Sequence, residues 1–436
     1  MILSMCRRCG FWCFDLLKGS PVRQAYRRIK YYDNLDCNST QLTEYYQEAF
    51  ANLRKEACDG TTYYKGMDHK PLSEFPIIDK NTIRSNQSAF LSSKYEQSKL
   101  YRMSTSGSTG TPFICYQNRE KKRNVNAEII YYSEKVGYKI GNNLSYIRTV
   151  VKQIKKSSLK QFLQNQTMIN CGKLSDEGVK VLLSNLEQQA KHGAVTILGY
   201  GSTYTAIKDY IKKYNLECFD GKITGIISGS DMLFDETRTA MENFFGCKVV
   251  SRYSNEENGV IGQDEDRNNE FLINKANYIV EICDTEGNVL QEGSLGRIVV
   301  TDLYNYAMPM IRYDTGDIGA MKIVEHRGIK HQVLYNFSGR SVDVIYNTSG
   351  EALSPHMITN HLWSFPDISQ FQLVQKGQKQ FVLRLNVPDD YKRLDEVVEV
   401  FNSILGEDAK IEVYQVDEIP VLASGKRRYI INEWKS

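Results

Sequence analysis

One stretch of the sequence combines glycines with hydroxyl side chains: Ser104-Thr105-Ser106-Gly107-Ser108-Thr109-Gly110-Thr111-Pro112. Strand-like segments flank it, Tyr101-Arg102-Met103 before it and Phe113-Ile114-Cys115-Tyr116 after it. Glycines let the backbone approach an anion, and hydroxyl groups donate hydrogen bonds without adding charge. The Gly-Lys-Ser/Thr ending of a Walker A loop is missing. The stretch predicts a phosphate-binding loop, and a flexible Ser/Gly linker is the alternative interpretation.

Downstream of this loop, apolar strand-like segments alternate with helical ones. Ala194–Leu198, Gly225–Ile227 and Lys248–Tyr253 read as buried strands, and amphipathic helical segments lie between them. Strands that alternate with helices indicate an α/β domain with a mainly parallel sheet. The first hundred residues read as mainly helical, with Ser39-Thr40 as a predicted helix cap.

Between residues 270 and 336 the predicted strands follow one another without helices, which indicates a β-rich subdomain. After Arg340 a smaller α+β unit begins, with predicted strands at 371–375, 380–386 and 410–415 and predicted helices near 355–363 and 389–404. We therefore expect an α/β protein with a large N-terminal domain that includes the β-rich subdomain, residues 1–340. A small α+β C-terminal lid domain, residues 341–436, completes the predicted fold.

The composition is that of a globular protein. In 436 residues, 55 Lys and Arg against 52 Asp and Glu leave a formal charge of only +3, so we expect no nucleic-acid partner. Ten scattered cysteines indicate free thiols in the cytoplasm rather than a disulfide framework. The spacing Cys6-x-x-Cys9 with Cys13 lacks a nearby fourth ligand, so a zinc site is the weaker interpretation there.

The first thirty residues offer two interpretations. No stretch of 18 apolar residues occurs, and Met1–Leu17 lacks the pattern of a signal peptide, so we predict no transmembrane segment. Phe11-Trp12-Cys13-Phe14 and Leu16-Leu17, with basic residues close by, would suit a peripheral contact with a bilayer surface. A helix that packs on the main domain is the favoured interpretation.

Four further motifs follow the Ser/Gly loop in order. They are Tyr253-Ser254-Asn255-Glu256-Glu257, Ile311-Arg312-Tyr313-Asp314-Thr315-Gly316-Asp317, Ser338-Gly339-Arg340 and Ser424-Gly425-Lys426. The ordered set resembles the adenylate-forming superfamily of acyl-CoA ligases and related enzymes. Within it, "PMIRYDTGD" and "FPIIDKNTIRSN" look like the phenylacetate–CoA ligase branch. The opening "FWCFDLLKG" and the ending "IPVLASGKRRYIIN" look like its CapK-like members, which are associated with surface-polysaccharide gene clusters.

This resemblance implies ATP, Mg²⁺ and a carboxylic acid as reactants of an adenylate-forming ligase, with CoA or another group as acyl acceptor. Residues Ser106–Gly110 would hold phosphates and Glu257 the metal ion; Tyr253 and Gly229-Ser230-Asp231 would lie beside adenine. Asp317 would accept the ribose hydroxyls, Arg340 would lie near the α-phosphate, and Lys426 and Glu257 would be the catalytic residues. Fixed donors and positive charge suit this chemistry because it brings two anions together.

Two positions depart from the family pattern, and simpler interpretations stay open. The first acid after Gly339-Arg340 is Asp343 rather than residue 342, which weakens the inference that the small domain rotates. Glu256 replaces a hydroxyl residue before the predicted metal ligand. Taken singly, Asp317 and Arg340 would be surface ion-pair residues, and Lys426 would belong to a basic tail.

Two other functions remain as alternatives. One is nucleotidyl transfer to an acceptor that is not a carboxylate. The other is a catalytically idle relative that serves as a binding component of a polysaccharide system.

Overall fold

The computed structural model describes most of the chain. The described residues are 2–105, 113–148, 161–162, 164–170, 176–229, 232–265, 268–340, 345–350, 352–353, 365, 367–368, 370–419 and 429–434.

The helices of the described residues lie mainly in the first two thirds of the chain. They are α1 (Ile2–Leu17), α2 (Pro21–Asp33), α3 (Thr40–Gly60), α4 (Lys80–Ser85), α5 (Gln87–Phe90), α6 (Arg119–Glu134), α7 (Asp176–Lys191), α8 (Gly201–Tyr214), α9 (Asp235–Phe245) and α10 (Leu394–Leu405). Ser39 caps α3 by accepting a hydrogen bond from the Leu42 N–H, as predicted. None of these helices is long and apolar enough to cross a membrane.

Within the described part of the chain, the strands form four sheets. They are β1 (Tyr101–Thr105), β2 (Phe113–Gln117), β3 (Asn143–Arg148), β4 (Gln166–Asn170), β5 (Val195–Tyr200), β6 (Ile223–Gly229), β7 (Val249–Asn255), β8 (Gly259–Asp264), β9 (Phe271–Ile273), β10 (Tyr278–Cys283), β11 (Gly296–Asp302), β12 (Tyr313–His326), β13 (Ile329–Arg340), β14 (Ile345–Tyr346), β15 (Ala352–Leu353), β16 (Gln370–Gly377), β17 (Gln380–Asn386), β18 (Lys410–Gln415) and β19 (Ile430–Asn432).

The largest sheet has eleven strands in the order β10-β11-β12-β13-β9-β8-β7-β6-β5-β3-β4. Strands β3 to β7 pair in parallel, and β7, β8 and β9 pair antiparallel. The three predicted strands near residues 194, 225 and 248 are β5, β6 and β7. The helix-free run of strands after residue 270 is also present, so the predicted mixed α/β fold is confirmed.

The chain divides into two compact units. The first contains Met1–Ile279, Val300–Arg312 and Ile323–Val333, and the second contains Val280–Val299, Tyr313–Lys322 and Leu334–Ser436. The predicted domain boundary after residue 340 stays a prediction. The predicted helix near residues 355–363 lies outside the described residues.

The second unit has its own hydrophobic core. Strands β16 and β17 pair antiparallel, while β18 and β19 add to the sheet in parallel. Leu373, Leu383 and Phe401 are fully buried in this core, which places α10 against the sheet. These strands match the predicted strands at 371–375, 380–386 and 410–415.

A buried polar network joins α6 to the strands of the first unit. Lys121 and Asp302 are fully buried, with 2.7 Å between Nζ and Oδ2. Glu128 is fully buried on the same helix and accepts hydrogen bonds from the Val260 N–H (2.9 Å) and the Asn277 side chain (2.5 Å). Burial raises the pKa of Glu128, although the Lys121 ammonium favours its charged form. Each polar group of this network therefore depends on its neighbours.

Replacing Lys121 by Met should strongly destabilise the first unit, because the Asp302 carboxylate would stay buried without its cation. We expect the free energy of unfolding to fall by about 3–5 kcal/mol, measured by urea denaturation. The control is Lys99→Met, at an exposed ion pair with Glu96, where the loss should be much smaller because solvent screens exposed pairs. Equal stabilities of the two variants would contradict this prediction.

A second buried cluster predicts how stability depends on pH. Burial lowers the pKa of His331 to about 4, and the nearby Lys275 ammonium acts in the same direction. The folded state therefore binds fewer protons than the unfolded state between pH 6.5 and about 4, so stability falls as the pH falls through this window. His331→Gln should lose less unfolding free energy than the wild type between neutral pH and pH 4.5.

Urea denaturation of both proteins at the two pH values measures this difference. The control is His69→Gln, at an exposed position, which should follow the wild-type curve. Parallel pH dependences for His331→Gln and the wild type would show that another group is responsible.

Candidate functional site

The carboxyl ends of three parallel strands bring two predicted site residues together. Tyr200 at the end of β5 pairs with Gly229 at the end of β6, and Gly229 pairs with Arg252 in β7. Tyr253 follows Arg252 directly, so it lies at the same edge as Gly229. This edge is where open α/β sheets bind ligands. Ser230 and Asp231, predicted beside them, lie outside the described residues.

In the segment after β5, Tyr204 has a structural role and does not line an open pocket. Tyr204 is fully buried, and its hydroxyl donates a hydrogen bond to the Ile227 carbonyl oxygen (3.0 Å). This bond joins the start of α8 to β6.

The predicted metal ligand Glu257 lies in the turn between β7 and β8 and is only 1% exposed. The Gln117 side-chain amide donates to its backbone carbonyl (3.0 Å), which holds the turn against β2. Gly259 follows with φ of +121°, and a Cβ there would lie 2.4 Å from Glu128 Oε2. Only glycine combines this backbone conformation with so close an approach. The turn therefore presents Glu257 in one fixed place, whereas Glu256 is exposed.

Lys80, which no sequence motif marks as functional, contacts the Glu257 carboxylate. Lys80 Nζ lies 2.6 Å from Glu257 Oε1. Lys80 is the first residue of α4, whose cap is Asp79: its carboxylate accepts hydrogen bonds from the Thr82 N–H (2.7 Å) and hydroxyl (2.6 Å). The pattern Asp-x-x-Thr in "FPIIDKNT" signals this helix start. It gives no sign that the lysine will meet Glu257.

The same pair lies beside the strands that carry the predicted phosphate loop. Strands β1 and β2 form an antiparallel hairpin, and Thr105 pairs with Phe113 at the point where the loop leaves it. Lys80 Nζ is 5.7 Å from the centre of the Phe113 ring. Residues 106–112, including Ser106–Gly110, lie outside the described residues. What the structure brings together is therefore the base of the loop, a cation and a buried carboxylate.

A cysteine on the hairpin also faces this carboxylate. Burial raises the pKa of the Cys115 thiol, and the Glu257 carboxylate raises it further. Cys115 is therefore a neutral packing residue beside the site, and not a thiolate nucleophile.

Arg312, within the motif around Asp317, has a structural role. It is buried, and its guanidinium donates to the carbonyl oxygens of Ser73 and Phe75, both at 3.1 Å. Its own carbonyl oxygen accepts a hydrogen bond from the Ile78 N–H (3.1 Å). Arg312 thus secures the extended segment that leads into α4 and Lys80.

The other predicted nucleotide-binding residues belong to the second unit. Asp317 is half-buried in β12, and its N–H donates to the Thr315 hydroxyl (3.2 Å). Asp314 accepts a hydrogen bond from the Gly316 N–H (2.8 Å) and pairs with Arg297 at 3.3 Å, so it shapes this turn. Arg340 ends β13, and its side chain lies outside the described part of the structure, as does the whole of Lys426.

The Glu257 carboxylate suits a Mg²⁺ ion that takes most of its other ligands from substrate phosphates and water. Among the described residues, no group of three or more His, Cys, Asp and Glu side chains is arranged to hold a metal ion. Mg²⁺ commonly takes one or two carboxylates together with water and substrate phosphates. Glu257 supplies one buried carboxylate that already faces a cation, the Lys80 ammonium. The residues present therefore fit such an ion.

Comparison with known proteins supports the resemblance seen in the motifs. Residues 345–433 match the family of the CapK C-terminal domain. Protein CapK of Staphylococcus aureus is 25% identical over 437 residues, which covers 97% of this chain and 90% of CapK. Phenylacetate-coenzyme A ligase of Pseudomonas putida is 28% identical over 143 residues, 32% of each protein.

Solved structures share the fold. 2-Hydroxyisobutyryl-CoA ligase with 2-HIB-AMP superposes with a TM-score of 0.70 at 16% identity and covers 89% of both chains. ATP-bound MatB from Rhodopseudomonas palustris has a TM-score of 0.54 at 16% identity, covering 77% of this chain and 68% of MatB. With the relatives found by sequence, they support the predicted assignment to the adenylate-forming superfamily: the chain is a CapK homologue, and its fold is that of these ligases.

Proposed function

We propose that this protein activates a carboxylic acid with ATP, giving an acyl-adenylate and pyrophosphate. The observation that carries the proposal is the buried Glu257 carboxylate against Lys80, beside the base of the Ser/Gly loop. CapK of S. aureus is similar in sequence along nearly the whole chain, and 2-hydroxyisobutyryl-CoA ligase, which shares the fold, is described in complex with 2-HIB-AMP.

In the proposed reaction, a carboxylate oxygen of the acid forms a bond to the α-phosphorus of ATP. The bond between that phosphorus and the bridging oxygen breaks, and pyrophosphate leaves. Both reactants are anionic, so the site must supply positive charge and fixed hydrogen-bond donors. We assign this task to the loop Ser106–Gly110, to Lys426 and to Lys80. Glu257 would hold a Mg²⁺ ion, which offsets the charge of the triphosphate when bound.

The nucleoside would bind at the carboxyl edge of β6 and β7. Tyr253 offers an aromatic face for adenine, with Gly229, Ser230 and Asp231 following the neighbouring strand. We assign Asp317 to the ribose hydroxyls, because one carboxylate can accept both hydrogen bonds. Arg340 would face the α-phosphate. In this scheme, residues 341–436 form a C-terminal domain that carries Lys426.

For the second half of the reaction we propose CoA as the acyl acceptor. The thiol would attack the acyl carbonyl, and AMP would leave. Two relatives bear the names of CoA ligases, phenylacetate-coenzyme A ligase and 2-hydroxyisobutyryl-CoA ligase. The resemblance to CapK suggests a role in making a surface polysaccharide, and the cytoplasm is where ATP and CoA are available.

Pyrophosphate exchange into ATP, measured over a panel of carboxylic acids that includes phenylacetate, tests the first half of the reaction. At least one acid should support exchange. Glu257→Gln should lower the rate by about 100-fold or more, because the triphosphate charge would lose its metal ligand. Glu256→Gln is the matched control, since this neighbouring acid is exposed, and it should keep most of the activity.

Two additions separate the alternatives. Lys426→Ala should also suppress exchange, and hydroxylamine should trap the activated acid as a hydroxamate. AMP joined to a hydroxyl group without any hydroxamate would favour nucleotidyl transfer to another acceptor. If no acid supports exchange and ATP does not bind, the ligase proposal is wrong.

Lys80 should matter mainly for binding the nucleotide. Lys80→Met removes a cation that lies next to Glu257 and to the start of β2, the strand that follows the loop. We therefore expect the KM for MgATP to rise about tenfold. The change in kcat should be smaller. The control is Arg84→Gln on the exposed side of the same helix, which should leave both constants near their wild-type values. A Lys80→Met enzyme with wild-type KM would remove Lys80 from the site.

A further inference from the structure

Helix α1 has one half that packs on the protein and another half that is apolar and exposed. On the packed side, Phe11 and Trp12 lie against the core residues Val22, Ala25 and Ile29, and Arg8 donates to the Ile140 carbonyl oxygen (3.0 Å). Asp15 is buried and accepts hydrogen bonds from the first N–H groups of α2, those of Val22 and Arg23. The helix is therefore held at one orientation on the first unit.

The other side of α1 exposes large hydrophobic side chains. They are Ile2 (78% exposed), Leu3 (54%), Met5 (62%), Phe14 (60%), Leu16 (61%) and Leu17 (85%). The remaining exposed positions of the helix are Cys6, Cys9, Gly10 and Cys13. At 100° per residue, these positions cover about half of the helix circumference without a charged residue.

This surface is a patch and not a scatter of single residues. Six of the 15 large hydrophobic residues exposed in the described part of the chain lie on this one helix. Phe162 is also exposed and extends the patch, with the Arg7 guanidinium 4.9 Å from its ring. Monomeric soluble proteins rarely expose so many neighbouring apolar side chains unless the surface binds something.

The charges around the patch indicate what it binds. Between residues 2 and 33 there are seven Lys and Arg against two Asp, a net charge of +5. Both acids are buried and already bound: Asp15 caps α2, and Asp33 pairs with Lys135 and accepts from the Tyr131 hydroxyl. Arg8 and Arg28 also donate hydrogen bonds inside the protein, so the exposed cations of this region are Lys18, Arg27 and Lys30. The exposed surface of α1 and α2 is therefore apolar with these cations and no exposed acid. Two copies of this surface would bring these cations together, which disfavours self-association.

We propose that the exposed face of α1 lies on an anionic bilayer surface and holds the enzyme there as a peripheral membrane protein. The apolar face enters the interface, while Arg27, Lys30 and Lys18 remain among the headgroups. A helix of 16 residues is about 24 Å long, shorter than the hydrocarbon core of a bilayer, so it lies in the plane of the membrane. This inference is independent of the reaction proposed above.

Sedimentation of the full chain with vesicles tests the proposal. The protein should bind vesicles that contain phosphatidylglycerol more tightly than vesicles of phosphatidylcholine alone, and high salt should weaken the binding. Leu16→Glu/Leu17→Glu should lower the partition coefficient at least about tenfold. Val181→Glu/Val289→Glu is the matched control, because it introduces the same charges at exposed valines elsewhere and should leave binding unchanged.

A second variant tests the exposed cations separately. Arg27→Glu/Lys30→Glu should weaken binding to anionic vesicles by about fivefold for each cation removed, with little effect on neutral vesicles. Thermal unfolding should be the same for all variants, because the replaced side chains are exposed.

The proposal is overturned if the wild type fails to bind anionic vesicles, or if Leu16→Glu/Leu17→Glu binds them as well as the control. The exposed face of α1 would instead be an interface between two copies of the chain under two conditions. The wild type would form a concentration-dependent dimer and not bind vesicles, and Leu16→Glu/Leu17→Glu would abolish the dimer.

Discussion

The first unit depends on the charged and polar groups buried along α6. Lys121 with Asp302, and Glu128 with Val260 and Asn277, tie the helix to the end of β11, to β8 and to the residue before β10. Removing such groups from water is costly, so they are stable only when every partner is in place. The Tyr278 hydroxyl lies 2.8 Å from Glu128 Oε1 and 2.7 Å from the Asn258 carbonyl oxygen, so the network reaches the turn that carries Glu257.

The buried polar network along α6 holds the candidate site in place. The Glu257 carboxylate belongs to a turn between two strands. Gln117 contacts one side of this turn, and the network around Glu128 contacts the other side. The cation of the site, Lys80, belongs to α4. Arg312 donates hydrogen bonds to backbone carbonyl oxygens of the segment that leads into this helix. The Glu257 carboxylate is buried, and Lys80, which is 32% exposed, is already in place against it. Charged groups that are fixed before an anionic substrate arrives are the condition for electrostatic catalysis.

The cluster around Glu257 and the exposed face of α1 lie in different parts of the first unit. The site lies at the carboxyl edge of the parallel strands, whereas the apolar face belongs to α1, which packs on α2 and α6 through the cluster around Ile29 and Tyr131. The same hydrophobic cluster that supports α1 also buries Tyr132 beside the polar network.

The sequence by itself determined the alternation of strands and helices, because apolar periodicity and local caps such as Ser39 act over a few residues. It also indicated the superfamily, through five motifs that follow one another along the chain. Strands β3 and β4 were not predicted, because their patterns are short. Helix α7 was not predicted either, although its buried apolar residues recur at helical spacing.

Only the tertiary structure decided that Lys80 meets Glu257, which is 177 positions later in the chain. It likewise assigned Arg312 to a structural role and showed that one half of α1 stays exposed. Contacts of this kind depend on how distant segments pack, and no local pattern of residue types encodes that geometry. Residue identity predicted which chemistry was available, and packing decided which groups share a site.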